Sequence, residues 1–365
     1  MHNLVPRSPA NQMPRPPARI KESPETASAH SPRPQMSDIA RLAGVSVATV
    51  SRALNGSKLI NVDTRTRIEA LARSMNYTIN VGAQNLRLRQ NRAIAVIVPF
   101  DPDTHQSLSD PFFLSLIGSI ADALTARGLE MLLSRAPVDD LAQATQCVDA
   151  GRASGIIMIG QWHLHKHLNE MARRRVPFVV WGAKMRRQDY ATVGGDNRRG
   201  GELATAHLLA AGARRIAFLG DDGFPEIGER LEGYLSAHEK AGVRPIATLR
   251  RSTPFLQSRI VADVEDLVAN GHRFDALFAA SDLMALTAIG TLQRLGRRVP
   301  DDVQVVGYDD IALSAFFHPA LTTVRQPIAQ AGEELVDSLL SQLEGDAPAC
   351  RLLPTELVAR ESSRG

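Results

Sequence analysis

From Ala93 onward the apolar positions of the chain fall into two alternating patterns. Short continuous runs, AIAVIVPF, LEMLLSR, GIIMIG, PFVVWG, RIAFLG, ALFAAS and VQVVGYDD, are rich in β-branched and aromatic residues and apolar on both faces. Strands read this way when a parallel sheet is covered on both sides. Most of the runs are separated by segments apolar at every third or fourth position, such as FFLSLIGSIADALTARG and GELATAHLLAAG, which predict amphipathic helices. The fold class is therefore α/β with doubly wound parallel sheets. Residues 93–365 hold too many such units for one modest sheet, so two similar lobes are expected, dividing near ATVGGDNRRGG.

The first part of the chain has a different period. In DIARLAGVSVATVSRALN, Ile39, Ala40 and Ala43 are at helical spacing and Gly44 stands where a helix ends and the chain turns. Ser46 can cap a second helix that Val47 opens and that turns Val50, Ala53 and Leu54 inward. A third helix is expected from about Val62 to Met75, capped by Asn61, with Ile68, Leu71, Ala72 and Met75 as its buried stripe. This is helix-turn-helix geometry in a small all-α headpiece over 35–80. The outward set of the second helix, Val47, Ala48, Ser51 and Arg52, is small or basic, which suits close approach to base edges. Most helical hairpins are only packing units, so spacing alone leaves both readings open.

Composition adds three constraints. At 365 residues and 44% hydrophobic, the chain has ample core material for several domains. Its two cysteines, Cys147 and Cys350, match no metal or disulfide spacing, and no apolar run approaches the roughly 20 residues of a membrane span. A cytoplasmic protein with no membrane partner and no cofactor is expected. The net charge of +3 hides an asymmetry: residues 1–92 carry 14 Lys/Arg against 5 Asp/Glu, while the remainder carries 28 against 34. The basic end should meet a polyanion. Residues 1–34 are rich in Pro, Ser and Ala with no apolar period and are expected to be a disordered tail, either a basic arm or an inert extension. The polar strip over 81–92, VGAQNLRLRQNR, reads as a linker.

The run DIARLAGVSVATVSRALNGSKLINVDTRTRIEALARSMNYTIN closely resembles the headpiece of the lac-repressor (LacI/GalR) family of transcriptional regulators. The resemblance continues through DPFFLSLIGSIADALTARG, VGGDNRRGGELATAHLLAAGARRIAFLG, ERLEGYLSA, ALFAASDLMALTAIGTLQRLGRRVPDDVQVVGYDD and LTTVRQP. It implies a major-groove-reading headpiece, a hinge helix that forms on operator DNA, and a two-lobed sensor folded like periplasmic sugar-binding proteins. Val47, Ala48 and Arg52 then occupy base-reading positions, while Thr49, Ser51 and Asn55 contact phosphate or support the helix. Leu86 matches the leucine wedge that enters the minor groove, with Ala83 one turn earlier. Where the family has Tyr-x-Pro-Asn, this chain has Tyr77-Thr78-Ile79-Asn80, without the fixed φ of proline.

In open α/β sheets, ligands bind beyond the carboxyl ends of the strands. That rule selects Asp101, Gln161, Trp181, Ser281, Asp282 and Asp309, with Gln326 in a late crossover. The resemblance makes Arg230 of ERLEGY the ligand-clamping arginine and Asp309 of GYDD the hydroxyl-binding carboxylate. It also places Ser281 where many relatives have Asn, and Phe112 and Phe113 at ligand-facing aromatic positions. Phe255 is a further candidate wall and Trp181 a stacking face, whereas one of Phe112 and Phe113 is expected to be core. Asp110 can bind ligand or cap the helix opened by Pro111.

The histidines of WHLHKH, His163, His165 and His167, could converge on a metal, although a solvated helix start explains them as well. VGGDNRRGG lacks a phosphate-loop lysine and is read as a lobe-crossing turn leading into a helix. No Ser-His-Asp, Cys-His or paired-carboxylate set appears at informative spacing, so no catalytic activity is expected. The leading expectation is a homodimeric regulator, a repressor by the resemblance, that binds double-stranded operator DNA and is controlled by a sugar acting as inducer or corepressor. A sugar-binding transport protein and an α/β enzyme are the rivals.

Overall fold

The computed structural model describes residues 35–364, apart from 55–56, 58, 76, 78–91, 102–106, 139–140 and 272. The tail expected over 1–34, Asn55 and the hinge residues Ala83 and Leu86 lie outside the described residues. The chain divides into two compact units, Met1–Val81 and Gly82–Gly365. No helix among the described residues is long and apolar enough to cross a membrane.

The first unit is a three-helix cluster: α1 (Met36–Ala43), α2 (Val47–Leu54) and α3 (Val62–Ser74). Ile39, Val50 and Ile68, one from each helix, are completely buried against one another. Gly44 ends α1 at φ 65°, a left-handed conformation that favours glycine, and the Val45 N–H donates back to Ala40 O at 3.0 Å. Ser46 Oγ accepts the Thr49 N–H at 3.1 Å, and Asn61 Oδ1 accepts the Asp63 N–H at 2.9 Å. Each cap satisfies a donor that the first helical turn would otherwise leave unpaired.

The second unit contains two six-stranded sheets. In chain order its elements are β1 (Ala93–Phe100), α4 (Pro111–Ala126), β2 (Glu130–Pro137), α5 (Leu141–Asp149), β3 (Gly155–Ile159), α6 (His165–Arg173), β4 (Phe178–Trp181) and β5 (Ala191–Gly195). These are followed by α7 (Asn197–Ala210), β6 (Ile216–Leu219), α8 (Pro225–Lys240), β7 (Arg250–Arg251), α9 (Gln257–Ala269), β8 (Ala276–Ala279), α10 (Asp282–Arg294), β9 (Gln304–Asp309), α11 (Ala312–Phe316) and β10 (Thr322–Arg325). The last are α12 (Ile328–Glu344), β11 (Cys350–Leu353) and β12 (Glu356–Val358). The first sheet runs β11-β5-β4-β3-β1-β2, parallel throughout; the second runs β12-β10-β9-β8-β6-β7, with only β12 antiparallel.

The chain crosses between lobes three times: after β5, after β10, and between β11 and β12. Central strands such as Ile156–Ile159 and Ala276–Ala279 are buried at every residue. Fully burying one such aliphatic side chain contributes roughly 1.5–3 kcal/mol. The glycines of VGGDNRRGG do more than turn the chain. Asp196 caps α7 through the Arg199 N–H at 2.9 Å, and Gly201, one turn in, lies against the carbonyl of Arg230 on α8 with no room for a Cβ. Gly233 of α8 lies as close to the carbonyl of Arg198. The two helices therefore touch backbone to backbone, which places the arginine of α8 beside the start of α7.

Candidate functional site

On α2, Val47, Ala48 and Arg52 are exposed, and Thr49 and Ser51 are partly buried. Thr49 Oγ1 lies 2.8 Å from Ser46 Oγ, so its hydroxyl belongs to the helix cap. Val50 and Ala53 face the core, which leaves the small residues and the arginine on the opposite face. Arg52 supplies five guanidinium N–H donors on this face, and its neighbours Val47 and Ala48 add little bulk beside them.

Between the lobes lies a cavity at the carboxyl ends of both sheets. The residues expected there that line it are Asp110, Phe112, Phe113 and Gln161, then Trp181, Arg230, Phe255, Ser281 and Asp309. Gln326 does not line it; its Nε2 donates to Asp309 Oδ1 at 2.7 Å from behind. Asp101 is absent from the lining, and Asp282 lies beneath it, accepting from the Ile311 N–H at 2.9 Å, the Ser314 hydroxyl at 2.7 Å and the Thr323 hydroxyl. Asp110 both lines the cavity and caps α4, accepting the Phe112 N–H at 3.0 Å. Ser281 likewise caps α10 through the Met284 N–H at 3.2 Å. Phe113 is the more buried of its pair, in the first lobe's core.

Arg230 is held before any ligand meets it. Its guanidinium carbon stands 3.7 Å over the Tyr308 ring, Nε donates to Asn197 Oδ1 at 2.9 Å, and a terminal nitrogen donates to Ala280 O. Asp309 ends β9 at φ 116°, a strained conformation for a side chain other than glycine. Burial pushes its carboxyl well above the usual carboxylate range, with Arg230 pulling the other way and Asp282 adding to the rise. Burial also raises Asp110, against the Phe112 N–H. A polar group taken from water is stable only when paired; Asp110 has the Phe112 N–H and Asp309 the Gln326 amide.

Trp162, Phe224 and Glu226, with Ile159, Gly160 and Ile227, also line the cavity and were not among the expected residues. The signal for Phe224 and Glu226 was present, because Phe224-Pro225-Glu226 follows a strand end and opens a helix, as Ser281 does. Trp162 is at φ 47° and was concealed in the histidine-rich segment. His163 faces the Phe224 ring at 5.7 Å, His165 Nδ1 lies 3.0 Å from the Tyr190 hydroxyl, and His167 is exposed. Among the described residues no cluster of His, Cys, Asp or Glu could hold a metal ion.

Residues 35–80 match the model of bacterial regulatory proteins of the lacI family, and residues 205–363 that of the periplasmic binding protein-like domain. The HTH-type transcriptional regulator CelR of Thermobifida fusca is 32% identical over 336 residues, covering 90% of this chain and 98% of the relative. Among solved structures, a lac repressor dimer bound to operator and the anti-inducer ONPF superposes with a TM-score of 0.80 at 28% identity, covering 91% and 99% of the two chains. A CelR–cellobiose complex gives a TM-score of 0.67 at 31% identity, covering 91% and 100%. With the headpiece, the two parallel-sheet lobes and near full-length relatives in agreement, the chain belongs to the lacI family of bacterial regulatory proteins.

Proposed function

We propose that this protein is a sequence-specific transcriptional repressor whose operator affinity is set by a sugar bound between its lobes. The supporting observation is the union, on one chain, of a helix-turn-helix with an exposed small-and-basic face and an interlobe cavity lined by an arginine, carboxylates and aromatic rings. In this reading residues 35–80 bind DNA, 81–92 form the hinge and 93–365 sense and dimerise. Val47, Ala48 and Arg52 read bases, with Thr49, Ser51 and Asn55 at phosphates, and Ala83 and Leu86 enter the minor groove. Arg230 and Asp309 clamp sugar hydroxyls, Gln326 steadies Asp309, and Gln161, Ser281 and Asp110 complete the polar contacts. A ligand that bound the two lobe arrangements unequally would shift their populations, and with them the separation of the two hinges in a dimer. Among relatives, the lac repressor dimer is solved bound to operator and an anti-inducer, and CelR, named a transcriptional regulator, is solved with cellobiose.

The test is selection of binding sites by the purified protein from a random duplex pool at near-physiological salt, followed by anisotropy titration with sugars. A two-fold symmetric site that one sugar releases or tightens is expected. Enrichment of no sequence, with or without a sugar panel, would refute the reading.

A further inference from the structure

The aromatic residues of the cleft form two separate groups, one at each lobe boundary. Phe112 lies 6.3 Å from Trp181 and 5.8 Å from Phe113, and packs against the cores of both lobes. Phe224 lies 5.1 Å from Trp162 and 6.0 Å from Phe255, and also packs against both cores. Each group offers a face on which the apolar side of one sugar ring can stack. Polar groups divide in the same way. Asp110 and Asp309 act on each other electrostatically beside Arg230, whereas Glu226 on α8 lines the cavity with Trp162 and Phe224 and also feels the charge of Arg230.

Charge narrows the ligand further. Three carboxyls, Asp110, Glu226 and Asp309, face one guanidinium, and no lysine lines the cavity. A uronate or sugar phosphate would find one cation to pair with, and that guanidinium is already stacked on Tyr308 and held by Asn197 and Ala280 O. The buried Gln161 side chain, 1% exposed, donates from Nε2 to Ala183 O at 2.7 Å and to the Tyr190 hydroxyl at 3.1 Å, but its Oε1 has no donor. A buried acceptor without a donor is costly, and a ligand hydroxyl is the group that would satisfy it.

We propose that the cleft takes a neutral sugar of two rings, one stacked at Phe112 and Trp181 and the other at Trp162 and Phe224, and that Glu226 selects the second ring by accepting its hydroxyls. This rests on the sugar-sensor reading and narrows it to one ligand class. Glu226 is a specificity-determining residue, because its carboxyl lines the cavity beside Trp162 and Phe224, where the second ring would sit.

Calorimetry on the full-length chain tests this with three matched sets of probes. They are neutral disaccharides (cellobiose, maltose, trehalose, sucrose, lactose), their one-ring components, and glucuronate, galacturonate and glucose 6-phosphate. A disaccharide should bind best, at least about 100-fold more tightly than its one-ring components. Glu226→Gln should weaken the disaccharide about tenfold or more while leaving one-ring binding and the thermal midpoint unchanged. Trp162→Ala should likewise weaken the disaccharide more than its one-ring components, with a lower thermal midpoint because Trp162 is buried in the first lobe's core. Tightest binding by a one-ring or anionic sugar, or equal loss for both ring numbers in Glu226→Gln, would overturn the proposal. If such a sugar still released operator DNA, the repressor reading would survive that result. Binding by no member of the panel would end both.

Discussion

Arg230 shows how one side chain can be costly to bury yet fully specified. Its charge is stacked on Tyr308 and held by Asn197 and Ala280 O before ligand arrives, so little side-chain entropy remains to be lost on binding. Arg230→Ala should abolish the sugar response while leaving operator affinity intact, read by anisotropy with and without sugar; a normal response would show that the clamp lies elsewhere. On α2, Arg52→Ala should weaken specific DNA binding by about 1–3 kcal/mol and relax preference at one guanine, and an unchanged preference in site selection would remove its base-reading role. Beneath the cleft, Asp282 accepts hydrogen bonds from Ile311, Ser314 and Thr323. Asp282→Ala would strand those three buried donors and should lower stability by about 2–4 kcal/mol in urea unfolding.

At the scale of elements, the long central strands and the three headpiece helices were legible because periodicity and caps point to one answer. Of the edge strands, β2 was read from LEMLLSR, but β7, β11 and β12 were not. β7 is two arginines, β11 is exposed except at Leu353 and no residue of β12 is fully buried, so nothing in their hydropathy separates them from loops; strand pairing alone makes them strands. The strand-end rule found Gln161, Trp181, Ser281 and Asp309 but also picked Asp101 and Asp282, which do not line the cavity, and it missed Glu226 and Trp162, the latter beside histidines that read as a solvated helix start. The glycines of α7 could be read as a turn but not as a contact, since their partner lies some thirty residues away in sequence on α8. Gly201→Ala should push α7 from α8, lowering the melting midpoint by the equivalent of about 1–3 kcal/mol and weakening sugar binding through Arg230. Calorimetry showing wild-type affinity would mean that the helix contact does not position the clamp.

For the molecule as a whole, acidity is concentrated where the lobes meet. Burial lifts Glu229 to about 7, with the Asn197 side chain opposing and Glu226, Glu232 and Asp196 adding to the rise. A carboxyl raised from its ordinary value near 4.5 binds more protons folded than unfolded across that window, so its ionisation removes stability as pH rises toward and through 7. The thermal midpoint should therefore fall more steeply from about pH 5 to about pH 8 in wild type than in Glu229→Gln, the two meeting at the acid end. Parallel curves would assign the slope to other groups.

The triple crossing of the chain also sets an order of events during synthesis. The first lobe's sheet is edged by β11 and covered by α12, both of which follow nearly the whole second lobe in sequence. On a ribosome working from the amino end, the headpiece can fold while most of the chain is unmade. The first lobe cannot; it must wait, one sheet edge and one helix-binding face uncovered, until the second lobe has emerged. Chaperone capture during translation should accordingly favour residues 93–195 over the headpiece, a bias that ribosome profiling of chaperone-bound nascent chains would reveal.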